Sequence, residues 1–116
     1  MKKEQLIATR VANYLQVNYP HIPFRFDIAA DLPMSIGQAR RIKSLHGKYN
    51  KGHPDLVIYT PNGAVFIELK ATKTVEKSKH TDTQKAYHRM LRELGYKVDF
   101  ACGFNQAKEQ IDKYLT

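Results

Sequence analysis

Apolar residues fall into short, regularly spaced groups along this 116-residue chain. Ile7, Val11, Tyr14 and Leu15 recur at spacings of four, three and one, which predicts a helix over residues 3–19 with one buried stripe. The next position on that stripe, Asn18, is polar, so the buried face fades there, and Pro20 and Pro23 end the pattern. Phe24-Arg25-Phe26-Asp27-Ile28 alternates apolar and polar, as a short strand does. Ser35 is suited to cap a short helix reaching about Leu45.

Two strands follow, at about 55–59 and 64–71, with the turn signal Thr60-Pro61-Asn62-Gly63 between them. A helix over about 80–95 turns Tyr87, Met90, Leu91 and Leu94 to one face, and Gly95 sits where a glycine C-cap falls. Residues 97–102 make another strand. A last helix over about 105–115 faces Ala107, Ile111, Tyr114 and Leu115 inward. The order α-β-α-β-β-α-β-α predicts an α/β fold, a mixed central sheet flanked by helices. No repeat, low-complexity tract or linker interrupts it, so one domain over 1–116 is expected.

Composition is ordinary for a globular chain, 42% hydrophobic and 26% charged, but the formal net charge is +8. A basic excess of this size favours a polyanionic partner, nucleic acid first and an anionic membrane surface second. The charge is not evenly spread. From Ser35 to Pro54 there are five basic residues, Arg40, Arg41, Lys43, Lys48 and Lys51, and no acid. The part from His46 to Pro54 reads as a flexible basic loop. From Lys70 to Lys97 eight Lys or Arg face three acids. Within that stretch Lys85, Arg89 and Arg92 share a helix face. Together with Lys73 and the first group they would line a groove for phosphates. The single Cys102 excludes an internal disulfide and a cysteine-based zinc cluster. Cys102 itself reads as a small buried residue at a strand end. There is no signal peptide or membrane-spanning run, and a cytoplasmic protein is expected.

The hairpin carries the chemistry. If residues 60–63 form its loop, Tyr59 pairs with Ala64 and Asp55 falls opposite Glu68. Glu68 and Lys70 share a face, because strand side chains alternate. Opposed carboxylates repel, and a divalent cation would relieve the repulsion. An ion there would also bind phosphate oxygens and activate water, with Lys70 orienting or deprotonating that water. A one-residue slip of register would send Asp55 to the other face. Singly, Glu-x-Lys and Pro-Asp are common on solvated strands and turns. Their conjunction across a short hairpin in a basic chain points to a site.

Gly52-His53-Pro54-Asp55-Leu56, then Phe66-Ile67-Glu68-Leu69-Lys70-Ala71, then Gln84 on the next helix, resembles the PD-(D/E)XK nuclease superfamily. The closest resemblance within it is to the VRR-NUC family of phage, bacterial and eukaryotic repair nucleases. It implies a restriction-endonuclease-like fold and a metal-dependent endonuclease using Mg²⁺ or Mn²⁺. By the same resemblance Asp55, Glu68 and the carbonyl of Leu69 bind the metal, Lys70 assists the attacking water, and Gln84 completes the motif. Members often add a glutamate from the first helix, and Glu4 is the one available. A carboxylate favoured by the helix dipole accounts for Glu4 equally well. The resemblance further implies a structure-selective enzyme of DNA repair or recombination. It would cut branched or Holliday-junction DNA as a homodimer in a bacterial or phage-infected cell.

Asp27 lies outside the motif and is assigned a structural or substrate-ordering role. His46, His53, His80 and His88 lie in basic segments with no helical His-x-x-x-His pair, so phosphate contacts or solvated positions are expected of them rather than ligation. Tyr49 reads as a partly packed loop aromatic, with stacking on an exposed base the alternative. No pattern reads base edges, so recognition by shape is expected. The competing readings are a non-catalytic nucleic-acid-binding module that kept the fold, and a basic RNA-binding protein. Opposed carboxylates disfavour the first, and the lack of aromatic-rich strands disfavours the second.

Overall fold

A computed structural model describes residues 3–28, 32–71 and 81–116. Helix α1 spans Lys3–Asn18. Val11 and Leu15 are buried, while Asn18 is exposed and its amide donates to the Tyr14 carbonyl, so the apolar stripe ends where its period predicts. Strand β1 is short, Phe24–Phe26. Asp27 and Ile28, expected within it, lie beyond its end. Helix α2, Ile36–His46, begins at Ser35, whose hydroxyl accepts from the Gln38 N–H while the Gln38 side chain accepts from the Ser35 N–H. This capping box satisfies two donors left open at the helix start. A 3-10 turn, Gly47–Tyr49, follows within the expected loop.

Strands β2, Leu56–Thr60, and β3, Gly63–Lys70, form the hairpin. The Thr60 hydroxyl closes the turn by donating to the Gly63 carbonyl and accepting from the Asn62 N–H. The register pairs Tyr59 with Ala64 and Leu56 with Ile67 as expected, but Thr60 also pairs with Gly63, so the loop is the two residues 61–62 rather than the expected four. Helix α3 spans Thr81–Glu93. It ends in a Schellman motif, with the Tyr96 N–H donating to the Leu91 carbonyl and the Gly95 N–H to that of Arg92. The helix thus closes before Leu94, which is 68% exposed rather than inward as its spacing suggested. Strand β4, Lys97–Cys102, and helix α4, Phe104–Leu115, complete the chain.

The sheet order is β1-β2-β3-β4, antiparallel in the first two pairings and parallel between β3 and β4. This is the mixed sheet flanked by helices that the element order predicts. Val65, Ile67 and Leu69 of β3 join Val11, Leu15, Ala107 and Ile111 in the apolar core under α1 and α4. Alternation sends Phe66, Glu68 and Lys70 to the opposite face, which α3 covers. Among the described residues no helix is long and apolar enough to cross a membrane.

Candidate active site

The hairpin ladder runs from the turn to Leu56 and Ile67, and Asp55 and Glu68 are the residues one step beyond its end. At that step the Asp55 carboxylate replaces a backbone acceptor: its Oδ2 accepts the Leu69 N–H at 2.8 Å. Asp55 is thereby fixed at the end of β2, half-buried. Glu68 and Lys70 are 2% and 4% exposed. Lys70 Nζ stands 4.0 Å from Glu68 Oε2 and donates to Gln84 Oε1 at 2.7 Å. Gln84 lies in the first turn of α3, so that helix caps the lysine as it crosses the sheet. The structure brings together Asp55, Glu68, Leu69, Lys70 and Gln84.

A cavity of about 460 Å³ opens above this cluster. Asp55 and Gln84 line it together with Asp27, His53 and Lys51, and α2 supplies its apolar wall. Asp27 is held beside Asp55 because its N–H donates to the Asp55 carbonyl at 2.8 Å. The loop approaches α3 closely at Gly52, where φ is +90° and a Cβ would stand 2.9 Å from the Thr83 carbonyl oxygen. Only glycine fits there. Among the described residues no three His, Cys, Asp or Glu side chains gather tightly enough to hold an ion by themselves. The donor chemistry nevertheless fits a hard divalent cation. Asp55 and Glu68 would supply carboxylates and Leu69 a carbonyl, and Mg²⁺ is commonly bound through one or two carboxylates, with water and substrate oxygens completing the shell.

Two solved structures share this arrangement of elements. One, described as a VRR_NUC domain protein, superposes with a TM-score of 0.69 at 23% identity over 98% of this chain and 88% of its own. Another, described as a VRR_NUC domain, gives 0.65 at 21% identity over 98% and 99%. The chain has the VRR_NUC fold. No protein-family model matches the chain, and no curated protein matches it by sequence.

Within the VRR_NUC fold the expected cations separate into two groups. Arg40, Lys43, Lys48 and Lys51 line a second cavity of about 680 Å³, which shares Lys51 and Thr83 with the first. Arg41 is exposed outside it. Lys85, Arg89 and Arg92 are exposed on α3, and the Arg92 guanidinium is engaged by the Val98 carbonyl at 2.7 Å. Lys73 and His80 lie outside the described residues, as does the Glu4 side chain. Tyr49 is 44% exposed and packs edge-on against Tyr87.

Two histidines lie close to the cluster. His53 is half-buried between the rings of Phe66 and Tyr87, and its Nδ1 contacts the Pro54 carbonyl at 2.7 Å. His88, expected to contact phosphate or lie in solvent, is completely buried. Its ring lies 4.5 Å from that of Phe100, and its Nε2 is 3.9 Å from Glu68 Oε1. Burial, seconded by the charges of Arg92 and Lys70, pushes its pKa down to about 4. Among the described residues neither ring nitrogen has a hydrogen-bond partner, and an unsatisfied buried group costs about 1–3 kcal/mol. The signal was present in the chain: Gln84, His88 and Leu91 are spaced by four and three and form the inner stripe of α3. Cys102 is half-buried rather than buried, since β4 is the sheet edge.

Proposed function

We propose that this chain is a metal-dependent endonuclease that hydrolyses phosphodiester bonds in DNA, selecting branched or junction structures. The observation that carries the reading is the end of the hairpin: Asp55 pinned by the Leu69 N–H opposite a buried Glu68, beside a lysine held by Gln84. Such an arrangement is costly to fold and has no role in simple binding. Asp55, Glu68 and the Leu69 carbonyl would hold Mg²⁺ or Mn²⁺. A divalent ion held there supplies Lewis acidity toward a phosphate oxygen and toward water.

The chain's own groups do the rest. Gln84 fixes the Lys70 ammonium, which orients the attacking water and offsets negative charge developing on the phosphate. Water oxygen bonds to phosphorus and one ester P–O bond breaks, giving a phosphate monoester and a hydroxyl end. The groove of Arg40, Lys43, Lys48 and Lys51 holds neighbouring phosphates, with Lys85 and Arg89 serving a further part of the substrate. A two-fold dimer would present two sites to two strands.

The test is a cleavage panel of branched, flapped, nicked and linear DNAs with Mg²⁺, Mn²⁺ or EDTA. Branched substrates should be cut with either metal and spared in EDTA and by Lys70→Ala. Cutting that persists undiminished in EDTA, with contaminating nuclease excluded, would refute the metal mechanism. Binding without cutting of any substrate would favour the non-catalytic module.

A further inference from the structure

A buried histidine whose nitrogens both lack a hydrogen-bond partner among the described residues is an expensive occupant of a position where leucine or phenylalanine would pack. Native structures keep few such groups, and each calls for a reason. His88 sits one helical turn after Gln84, on the stripe of α3 that covers Glu68 and Lys70. The two oxygens of Glu68 face different neighbours. Oε2 lies toward Lys70 Nζ at 4.0 Å, and Oε1 lies toward His88 Nε2 at 3.9 Å. A shift of under an ångström would bring His88 into hydrogen-bond range. The tilted stack on Phe100 restrains the imidazole, and the first turn of α3 is tied to β3 by the Gln84–Lys70 contact.

From this we infer that His88 is a positioning residue for Glu68: its Nε2–H fixes Oε1, so that the carboxylate presents Oε2 to the Lys70 side of the site and to the ion. The inference rests on the metal-binding reading of that site. Its chemistry is that of an outer partner to a ligating carboxylate. Such a group sets the ligand's orientation without touching the ion, and its loss typically lowers metal affinity about 10–100-fold.

The experiment measures Mn²⁺ affinity of the whole chain without DNA, by electron paramagnetic resonance of free Mn²⁺, with unfolding of the metal-free chain as a parallel readout. Three variants separate position from packing. His88→Leu removes both nitrogens and keeps an apolar side chain. His88→Gln carries its amide nitrogen out to the reach of Nε2, and His88→Asn only to that of Nδ1. His88→Leu and His88→Asn should bind Mn²⁺ about 10–100-fold more weakly than the parent, while His88→Gln stays within a few-fold. Unfolding of the metal-free variants shows which of them fold, so that a loss of Mn²⁺ affinity is read only from folded chains. If His88→Leu does not fold, the Gln and Asn variants decide alone. Equal affinities of parent and His88→Leu, or of the Gln and Asn variants, would overturn the role of His88. A parent chain that binds no Mn²⁺ would overturn the metal reading and this inference together.

Discussion

Removing both members of the Glu68–Lys70 pair should destabilise the chain by less than the two single losses added together. Both side chains are at least 95% inaccessible, so each single variant removes the opposite charge that lies 4.0 Å from the buried one left behind. Breaking a buried pair in this way costs about 3–5 kcal/mol. At the observed 4.0 Å separation an effective dielectric constant of about 20 gives an attraction of about 4 kcal/mol. Water admitted by each substitution screens part of that, so a coupling of about 2–3 kcal/mol is expected. Glu68→Gln and Lys70→Met keep volume while removing charge. The unfolding entropy of a chain this size makes about 3 kcal/mol equivalent to about 12 °C in Tm. The assay is urea unfolding followed by circular dichroism in EDTA, on the parent, both single variants and the double. Each single variant should lose about 3 kcal/mol or more, and the double variant little more than either. Additive losses, within about 0.5 kcal/mol, would refute the argument that the two charges stabilise one another.

Three further outcomes follow from other parts of the molecule. His88 has a folded pKa of about 4, below its ordinary 6.5, so the unfolded chain binds the extra proton. Its contribution is therefore complete above about pH 6.5 and lost as pH falls toward 4, by about 2 kcal/mol at pH 5. Urea unfolding at pH 7 and pH 5 should show this loss in the parent and not in His88→Leu, and equal losses would refute it. Gly47 and Gly52 both have positive φ, but only at Gly52 would a Cβ meet the Thr83 backbone. Gly47→Ala should cost about 1–3 kcal/mol of strain, and Gly52→Ala should exceed it by about 1–3 kcal/mol; equal melting temperatures would deny the close approach. Replacing Lys43 and Lys51 together by alanine should flatten the log–log salt dependence of duplex binding by up to about 1.8, with similar loss on unrelated sequences. An unchanged slope and affinity would place the phosphates elsewhere.

The hairpin was legible because two local signals agree. Thr60-Pro61-Asn62-Gly63 sets the turn, and Leu56, Ile58, Val65, Ile67 and Leu69 must all reach one core, which leaves a single register for Asp55 and Glu68. Ser35 was legible for a similar reason, since a capping box is satisfied within four residues. His88 and Leu94 were not. Tyr87, Met90, Leu91 and Leu94 suggest an apolar stripe, but the Schellman motif closes α3 before Leu94, and the buried stripe runs through Gln84 and His88 instead. A helix period gives the faces of a helix; which face is covered depends on the sheet beneath it.

The same limit explains why Glu68 and Lys70 look ordinary in the sequence. Alternating Phe66, Glu68 and Lys70 with Val65, Ile67 and Leu69 is the pattern of a strand with one face in water. The strand is instead covered on both sides, by α1 and α4 over the apolar residues and by α3 over the charged ones. Alternation that normally separates core from solvent here separates core from the proposed site. The polar residues are therefore held in place by burial, and the covering helix must carry groups able to face them, which Gln84 and His88 are. Function is legible in the strand only as a set of residues sharing a face. The energetic case for a site comes from the helix that removes that face from water.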